Sequence, residues 1–278
     1  MRETRIGCHL SLSGGFAGMA ETAVSLEATT FQFFSANPRG GKSREWARAD
    51  IEEMLCICRE HGIAGLVAHA PYILNPCSSD PEKRKLALER MEEDMKRLQA
   101  IPGCMYNLHP GCHTGQGTEE GMREVAELLR RLAPYTATNP VLLETMAGKG
   151  TELGSRFSEL GEILRMASVP GTGVCLDTCH VWDAGYDIQG GLEAVLEAFD
   201  REIGLERLLA IHLNDSKNAR GSHRDRHEKL GQGEIGLKAL LAVTSHPALR
   251  GLPFILETPN EAEGYAAEIR LVHEDRPC

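Results

Sequence analysis

The feature that most constrains this chain is a repeated alternation of short β-rich runs with longer amphipathic stretches. The β-rich runs are almost wholly apolar, which is typical of strands buried on both faces of a parallel sheet. Eight strand–helix units in 278 residues predict an α/β fold, a TIM (β/α)8 barrel that forms a single domain over residues 1–278. The predicted strands lie near residues 4–9, 29–35, 64–69, 104–109, 141–144, 173–177, 208–213 and 253–257.

Two of the intervening stretches carry clear helical signals. The first is predicted over residues 81–100, because Ser79 or Asp80 can cap it and Pro81 suits its first turn. The second is predicted over residues 118–132. Their apolar stripes are expected to consist of Leu86, Met91, Met95 and Leu98 in the first helix, and Val125, Leu128, Leu129 and Leu132 in the second.

Seven of the eight predicted strands finish on a residue that can bind a metal ion. In a barrel the carboxyl ends of the strands meet at one face, so these residues would converge there. A doubly wound open sheet is the alternative fold, and it would bind its ligand near one switch point instead. Mixed histidines and carboxylates are the ligand set of zinc or manganese in hydrolytic sites. The seven residues are His9, His69, His109, Glu144, Asp177, His212 and Glu257.

Two loops add further candidates. His180 follows the sixth predicted strand in the run Asp-Thr-Cys-His. A long polar loop then follows the seventh strand and contains Asp225 and His227, an Asp-x-His pair that can point both side chains the same way in extended backbone. A solvated charged connection is the alternative, but long loops in compact domains are usually functional.

Charge and composition bound the class of protein. The net charge of −10 opposes binding to phosphate unless bound cations reverse the local field. The N-terminus lacks the apolar core of a secretory signal, and no apolar run is long enough for a membrane span. We therefore expect a cytoplasmic protein that does not enter a membrane. Its nine cysteines are scattered, and we expect reduced thiols, with no disulfide between Cys56 and Cys58.

Seven segments follow one another in the order and spacing of a known family. The long ones are HAPYILNPCSSD at 69–80, GVCLDTCHVWDAGYD at 173–187 and HLNDSKNARGSHRDRHEKLGQGEIG at 212–236. The short ones are GCHLSLSGG at 7–15, NLHPGCH at 107–113, LETMAGKGTELG at 143–154 and LETPN at 256–260. Together they resemble the endonuclease IV family of apurinic/apyrimidinic endonucleases.

The resemblance implies three zinc ions with nine protein ligands, although manganese or iron can replace zinc at such mixed sites. It assigns His69, His109 and Glu144 to the first ion, and Glu144, Asp177, His212 and Glu257 to the second. It assigns His180, Asp225 and His227 to the third. Glu144 and Glu257 are the candidate catalytic carboxylates. His9 matches a family histidine near the site, and we interpret it as a residue that contacts the ligands rather than one that binds an ion itself.

The resemblance also implies a DNA substrate. Arg39, Tyr72 and Ile73 occupy positions at which the family inserts side chains beside an abasic site, although simple packing of the loop is the alternative for Tyr72 and Ile73. The implied reaction is hydrolysis of the phosphodiester 5′ to an abasic site in duplex DNA, which leaves a 3′-hydroxyl and a 5′-deoxyribose phosphate. Trimming of blocked 3′ ends is implied as well. A monomer is expected.

Two other functions fit part of the pattern. A sugar isomerase or epimerase of a related barrel type would explain the fold and about half of the ligands, but not the loop residues Asp225 and His227 or the DNA-inserting residues. A metal-binding or DNA-binding barrel without catalysis is the second alternative, which an intact set of nine ligands opposes.

Overall fold

A computed structural model describes residues 4–38 and 46–274. Within these ranges eight strands pair side by side, all parallel, and close into a barrel. The closed order confirms the predicted TIM barrel and excludes the open doubly wound sheet. The barrel strands are β1 (Arg5–Leu10), β2 (Gln32–Phe34), β3 (Val67–His69), β4 (Met105–Leu108), β5 (Val141–Glu144), β6 (Thr172–Asp177), β7 (Leu208–His212) and β10 (Pro253–Leu256). Between β7 and β10, β8 (Asp215–Ser216) pairs with β9 (His227–Glu228) as a short antiparallel hairpin.

Two of the strands begin about three residues later than the sequence predicts. β2 begins at Gln32 rather than near residue 29, and β3 begins at Val67 rather than near residue 64. The Thr30 hydroxyl donates to the Gly65 carbonyl at 2.8 Å, so a side chain holds these segments together before the strands begin. Gly65 has a φ of +71°, a left-handed conformation that a regular strand does not contain.

The helices surround the barrel, and the two predicted helices are confirmed. Asp80 accepts hydrogen bonds from the backbone N–H groups of Glu82 and Lys83, so it is the N-cap of the first of them. The α-helices are α1 (Gly15–Ser25), α2 (Arg48–Glu60), α3 (Pro81–Leu98), α4 (Thr118–Leu132), α5 (Phe157–Ala167), α6 (Thr178–Asp183), α7 (Leu192–Glu202), α8 (Leu237–Ser245) and α9 (Ala262–Glu274). Short 3₁₀ helices span Leu12–Gly14, Ala133–Tyr135, Leu205–Arg207 and Pro247–Leu249.

The apolar stripe of α3 differs from the prediction at one position. Leu86 is 50% exposed, whereas Ala87, Met91 and Met95 are buried. The buried side chains are four residues apart, which is the spacing of one helix face, and Leu86 is five residues before Met91. The prediction that Leu86 belongs to the stripe is therefore wrong.

The interior of the barrel is filled by side chains rather than by solvent. A small apolar cluster occupies it, and a larger core lies between the strands and the helices. Because the interior is packed, ligands must bind above the carboxyl ends of the strands. The interior cluster consists of Val67, Met105, Leu142, Cys175, Ala210 and Ile255.

The structure bears on two expectations, one about disulfide bonds and one about membrane-spanning helices. Eight cysteines lie in the described ranges and all are free thiols, including Cys56 and Cys58, so the absence of a disulfide between these two is confirmed. Burial raises the pKa of Cys58 and of Cys175 to about 11. No helix of the described residues is long and apolar enough to cross a membrane.

Candidate metal centre

The seven strand-end residues lie at one face of the barrel, as predicted. His69, Glu144, Asp177 and His212 are the last residues of their strands, and His109 and Glu257 follow the last residues of theirs. His9 is the next-to-last residue of β1. The register of the parallel strands carries all of these side chains to the same height, so residues up to 248 positions apart in the sequence come into contact.

The first group of potential ligands is centred on one carboxylate oxygen. Nε2 of His69 lies 3.1 Å from Oε2 of Glu144, and Nε2 of His109 lies 3.4 Å from the same oxygen. These three side chains place one donor atom each within 4.8 Å of one another. Two imidazoles and a carboxylate at these separations fit a single zinc-type ion.

The second group uses the other oxygen of the same carboxylate. Nδ1 of His212 lies 3.2 Å from Oε1 of Glu144 and 3.2 Å from Oε2 of Glu257. It also lies 3.7 Å from Oδ2 of Asp177. Because Glu144 gives Oε2 to the first group and Oε1 to the second, its geometry is that of a bridging ligand.

The third group comes from loops rather than from barrel strands. His180 lies on α6, and Nε2 of its ring is 3.0 Å from Oδ1 of Asp225. His227 is the first residue of β9, and its Nε2 lies 3.5 Å from the same oxygen. The same nitrogen is 3.6 Å from Oδ2 of Asp177, so the third group adjoins the second.

The loop that carries Asp225 adopts an unfavourable backbone conformation. Asp225 and His223 have φ angles of +54° and +56°, which cost a residue other than glycine on the order of 1–3 kcal/mol. Buried Asp183 compensates, because its Oδ2 accepts from the Asp225 N–H at 2.7 Å and its carbonyl accepts from the His223 N–H at 3.0 Å. The strained loop is thus held in place by an acid that is not itself in any ligand group.

Opposite charges at the site keep each other ionised. Burial raises the pKa of Glu144, but His212 and His109 outweigh this effect and hold that pKa well below its usual range. Burial also raises the pKa of Glu257, and His212 again outweighs it, so this pKa too lies well below its usual range. The carboxylates are therefore anionic at neutral pH, as metal ligands must be.

Two of the histidine rings, His180 and His212, show the reverse shift. Burial lowers the pKa of His180, but the carboxylates of Asp177 and Asp225 outweigh it and raise that pKa well above its usual value. Burial lowers the pKa of His212 as well, whereas Cys175 and the neighbouring carboxylates raise it well above its usual value. A divalent cation would take the place of these protons.

In three of the histidines, Nδ1 faces a backbone carbonyl, which leaves Nε2 available for an ion. Nδ1 of His69, His180 and His227 faces a backbone carbonyl at 2.6, 2.8 and 3.2 Å, respectively. Nε2 of His227 is buried and has no hydrogen-bond partner among the described residues. An unpartnered buried nitrogen is costly in a protein interior, and a bound cation would satisfy it. The donor set therefore fits divalent metal ions.

Amide side chains support the ligands and were missed at the sequence level. Nδ2 of Asn107 donates to Oε2 of Glu144 at 2.7 Å, and Nδ2 of Asn214 donates to Oδ2 of Asp177 at 2.7 Å. Each asparagine lies two residues from a strand-end histidine. Side chains two apart on a strand point the same way, so this spacing was a usable signal.

Cys179, which lies between Asp177 and His180 in the sequence, is a further neighbour of the ligands. Together with Asp177 and His227 it forms a fourth group with metal-binding donor atoms. Burial raises the pKa of the Cys179 thiol, with a further contribution from Asp177, so the thiol stays protonated. Because Asp177 also belongs to the second group and His227 to the third, this group shares its donor atoms with them and does not add a separate site.

The remaining predicted residues occupy different surroundings. Nδ1 of His9 lies 3.1 Å from Oε1 of Glu257, and His9 belongs to none of the ligand groups found in the described ranges. Tyr72 and Ile73 follow β3 and are 54% and 52% exposed, respectively. Arg39 lies outside the described residues.

Comparison with known proteins gives the family. Residues 20–274 match a family model described as a xylose isomerase-like TIM barrel. A relative from Clostridium beijerinckii named "Probable endonuclease 4" is 51% identical over 269 residues, which cover 96% of this chain and 97% of the relative.

Solved structures agree with this result. Endonuclease IV from Thermus thermophilus is similar with a TM-score of 0.87 at 34% identity, covering 98% of each chain. A D-psicose 3-epimerase from Clostridium cellulolyticum H10 has a TM-score of 0.69 at 14% identity, over the whole length of both chains, and shares the fold alone. Of these three proteins, the two endonucleases are 51% and 34% identical to this chain over almost its entire length, whereas the epimerase is 14% identical. The chain belongs to the endonuclease IV family, as the resemblance of its motifs predicts.

Proposed function

We propose that this chain is a DNA-repair endonuclease that hydrolyses the phosphodiester 5′ to an abasic site in duplex DNA. The products would be a 3′-hydroxyl and a 5′-deoxyribose phosphate, and the same bond geometry would allow blocked 3′ ends to be trimmed. The observation that carries the proposal is the set of three adjoining donor groups, two of which share Glu144. Such a set fits a phosphodiester, which presents several oxygens to be held and neutralised at once.

The proposed cofactor is three divalent cations, with zinc as the first choice and manganese or iron as alternatives at the mixed sites. When bound, these cations would activate a water molecule and offset negative charge on the phosphate. The proposed ligands are His69, His109 and Glu144 for the first, Glu144, Asp177, His212 and Glu257 for the second, and His180, Asp225 and His227 for the third.

The protein's part in the reaction is to hold charge and geometry. Glu144 and Glu257 would act as the catalytic carboxylates, because their lowered pKa values keep them anionic and ready to bind cations at neutral pH. Asn107 fixes Oε2 of Glu144 through its amide. Prearranged ligands of this kind lose little energy in reorganisation during the reaction. His9 would act through its contact with Glu257 rather than as a ligand.

Two of the proposed DNA contacts, Tyr72 and Ile73, lie on the segment that follows β3. Tyr72 and Ile73 expose apolar surface next to the strand that ends in His69, which is an arrangement suited to insertion into a duplex. Arg39 would insert with them. An abasic sugar leaves the helix at low cost because little stacking is lost, which favours damaged over intact DNA.

The acidic surface is compatible with this substrate if the cations are present. The formal net charge is −10, and three divalent cations would bring six positive charges to one face. The protein is proposed to work in the cytoplasm and as a monomer; every proposed ligand is a residue of this chain, so the metal site itself needs no partner subunit.

A sugar isomerase is the alternative that shares the fold. It needs one or two ions, so it gives no reason for the loop group of His180, Asp225 and His227. The deciding experiment incubates metal-replete protein with a 5′-labelled duplex that carries one abasic-site analogue. We expect one cut on the 5′ side of the lesion with a 3′-hydroxyl end, and none in the intact duplex. An uncut abasic duplex would contradict the proposal.

A further inference from the structure

Gln32 is a buried amide that contacts two candidate metal ligands at once. It is the first residue of β2, and its side chain is fully buried. Its Oε1 lies 2.8 Å from Nε2 of His212, and its Nε2 donates to Oε1 of Glu257 at 2.6 Å. We propose that Gln32 is a positioning residue that prepares His212 and Glu257 to bind the second metal ion. This inference rests on the metal site proposed above.

The orientation of the amide follows from its partners. An ionised carboxylate only accepts hydrogen bonds, so the amide nitrogen of Gln32 must face Glu257. The amide oxygen then faces His212, and because that oxygen only accepts, His212 must carry a proton on Nε2. A neutral ring with its proton on Nε2 has a free electron pair on Nδ1. The amide thus selects one of the two tautomers of His212.

The selected tautomer is the one that a metal ion at this site requires. Nδ1 of His212 is the ring atom that faces Glu144, Glu257 and Asp177, at 3.2, 3.2 and 3.7 Å. A reversed amide would put a donor against Nε2 and move the ring proton to Nδ1, which would close that atom to an ion. Second-layer hydrogen bonds of this kind fix the tautomer and ring orientation of metal-binding histidines.

The two oxygens of the Glu257 carboxylate have different partners, and the Gln32 amide contacts only one of them. Oε1 contacts Nε2 of Gln32 at 2.6 Å and Nδ1 of His9 at 3.1 Å. Oε2 is the oxygen that lies 3.2 Å from Nδ1 of His212. One oxygen is therefore tied to the protein, and the other is turned toward the ion. Losing Gln32 would loosen two of the four proposed ligands of the second ion, His212 and Glu257, at the same time.

The matching experiment compares Gln32→Met with a control substitution of the same kind. Methionine has nearly the length of glutamine but neither donates to Glu257 nor provides the oxygen that accepts from His212. Gln99→Met is the control, because Gln99 also donates a side-chain hydrogen bond, to Asn139 at 2.6 Å, but follows α3 at the opposite end of the barrel. The metal-replete proteins are titrated with a competing chelator, and bound zinc is counted by elemental analysis.

We expect Gln32→Met to lose one of its three ions at a chelator concentration about 10–100-fold lower than the wild type does. The other two ions should be retained as in the wild type and in Gln99→Met. In cobalt-substituted protein, the absorption bands of that one ion should change. Wild-type retention of all three ions with an unchanged cobalt spectrum would overturn the proposal, and so would an equal weakening of all three.

A measurement on the unaltered protein tests the tautomer directly, in case Gln32→Met does not fold. Long-range ¹H–¹⁵N spectra of the zinc-loaded wild type should show the His212 proton on Nε2 and the ion on Nδ1. The reverse arrangement would overturn the inference. A wild-type protein that binds no divalent ion would contradict the proposed function itself, whereas intact binding with an unaffected Gln32 variant would contradict this inference alone.

Discussion

At the scale of single residues, the site depends on how one carboxylate is shared. Oε2 of Glu144 faces His69 and His109, while Oε1 faces His212 at 3.2 Å. No other side chain of the described ligand groups belongs to both the first and the second group. Substitution of this residue therefore tests the two-ion part of the proposal more sharply than substitution of any terminal ligand.

Glu144→Gln should lower the rate of abasic-site incision by at least about 10³-fold, on the scale of losing a preorganised electrostatic contact. The substitution keeps the size of the side chain but replaces one ligand oxygen with an NH₂ group, which cannot bind a cation. Single-turnover incision and zinc content are measured together. Glu93→Gln, at an exposed position on α3, is the control and should behave like the wild type. Normal turnover with full metal content in Glu144→Gln would rule out a bridging role.

The candidate ligands at the strand ends were predictable from the sequence, whereas the supporting contact of Gln32 was not. His69, Glu144 and Asp177 end predicted strands, so the barrel alone brings them to one face. Gln32 was not foreseen, because its partners come from β7 and the end of β10, and a contact across the barrel leaves no local pattern in the sequence. The role of the DNA-inserting residues came only from the resemblance to a family.

At the scale of structural elements, two loops supply functional residues that the barrel strands do not: two proposed DNA contacts and a proposed ligand of the third ion. The segment after β3 exposes Tyr72 and Ile73, and the strained loop before β9 supplies Asp225. Neither loop takes part in the barrel's hydrogen-bonded ladder. Both are expected to affect function without affecting the fold, which allows each to be tested separately.

Tyr72→Ala should weaken binding of abasic duplex DNA by about 1–3 kcal/mol, the typical loss when an aromatic stacking contact is removed. The dissociation constant is measured with a fluorescent duplex in which the phosphodiester 5′ to the abasic-site analogue is replaced by a linkage that cannot be hydrolysed. Leu86→Ala is a matched control, since Leu86 is also an exposed apolar side chain but lies on α3. Loss of zinc from Tyr72→Ala would instead indicate that this loop has a structural role.

Asp183→Ala should lower the affinity for the third ion by about 10–100-fold and leave the affinity for the other two ions unchanged. The buried carboxylate holds the Asp225 N–H at 2.7 Å and the Ser216 hydroxyl at 2.8 Å, so its removal releases the strained loop. Chelator titration followed by elemental analysis counts the ions that remain, and the absorption bands of cobalt-substituted protein show which of the three is lost. Asp187→Ala, which removes an acid that pairs with Arg220, is the control. If all three ions remain as firmly bound as before, the loop does not depend on Asp183.

At the scale of the whole molecule, the fold could be predicted almost completely and the chemistry in part. Apolar runs gave the eight strands, because burial on both faces leaves a continuous apolar pattern. The apolar stripe gave the bounds of α4, and the capping residue and Pro81 gave the start of α3. Strand starts were less accurate where a side chain such as Thr30 replaces ladder bonds. The metal type, the single domain and the cytoplasmic location stay predictions.

The pKa shifts predict how the metal-free protein responds to pH. Raised pKa values of His180 and His212 stabilise the folded protein below about pH 6.5, the usual histidine value, and this contribution is lost as pH rises through the raised values. Lowered pKa values of Glu144 and Glu257 stabilise the folded protein above about pH 4.3, and this contribution is lost as pH falls through the lowered values. The two contributions overlap between these limits.

Thermal unfolding of chelator-stripped protein should therefore show its highest Tm at mildly acidic pH and decline toward alkaline pH. Added zinc should raise Tm more at pH 8 than at pH 6, since binding displaces the histidine protons. An increase in Tm on zinc addition that shrinks as the pH rises would contradict the assignment of these histidines.

The most direct test of the account is a zinc titration of incision activity. Chelator-stripped protein receives increasing equivalents of zinc, and single-turnover cutting of a duplex with one abasic-site analogue is followed at each step. The account predicts that full activity requires three equivalents and that the cut lies on the 5′ side of the lesion. Full activity at one equivalent, or equal cutting without any divalent ion, would contradict a three-ion nuclease.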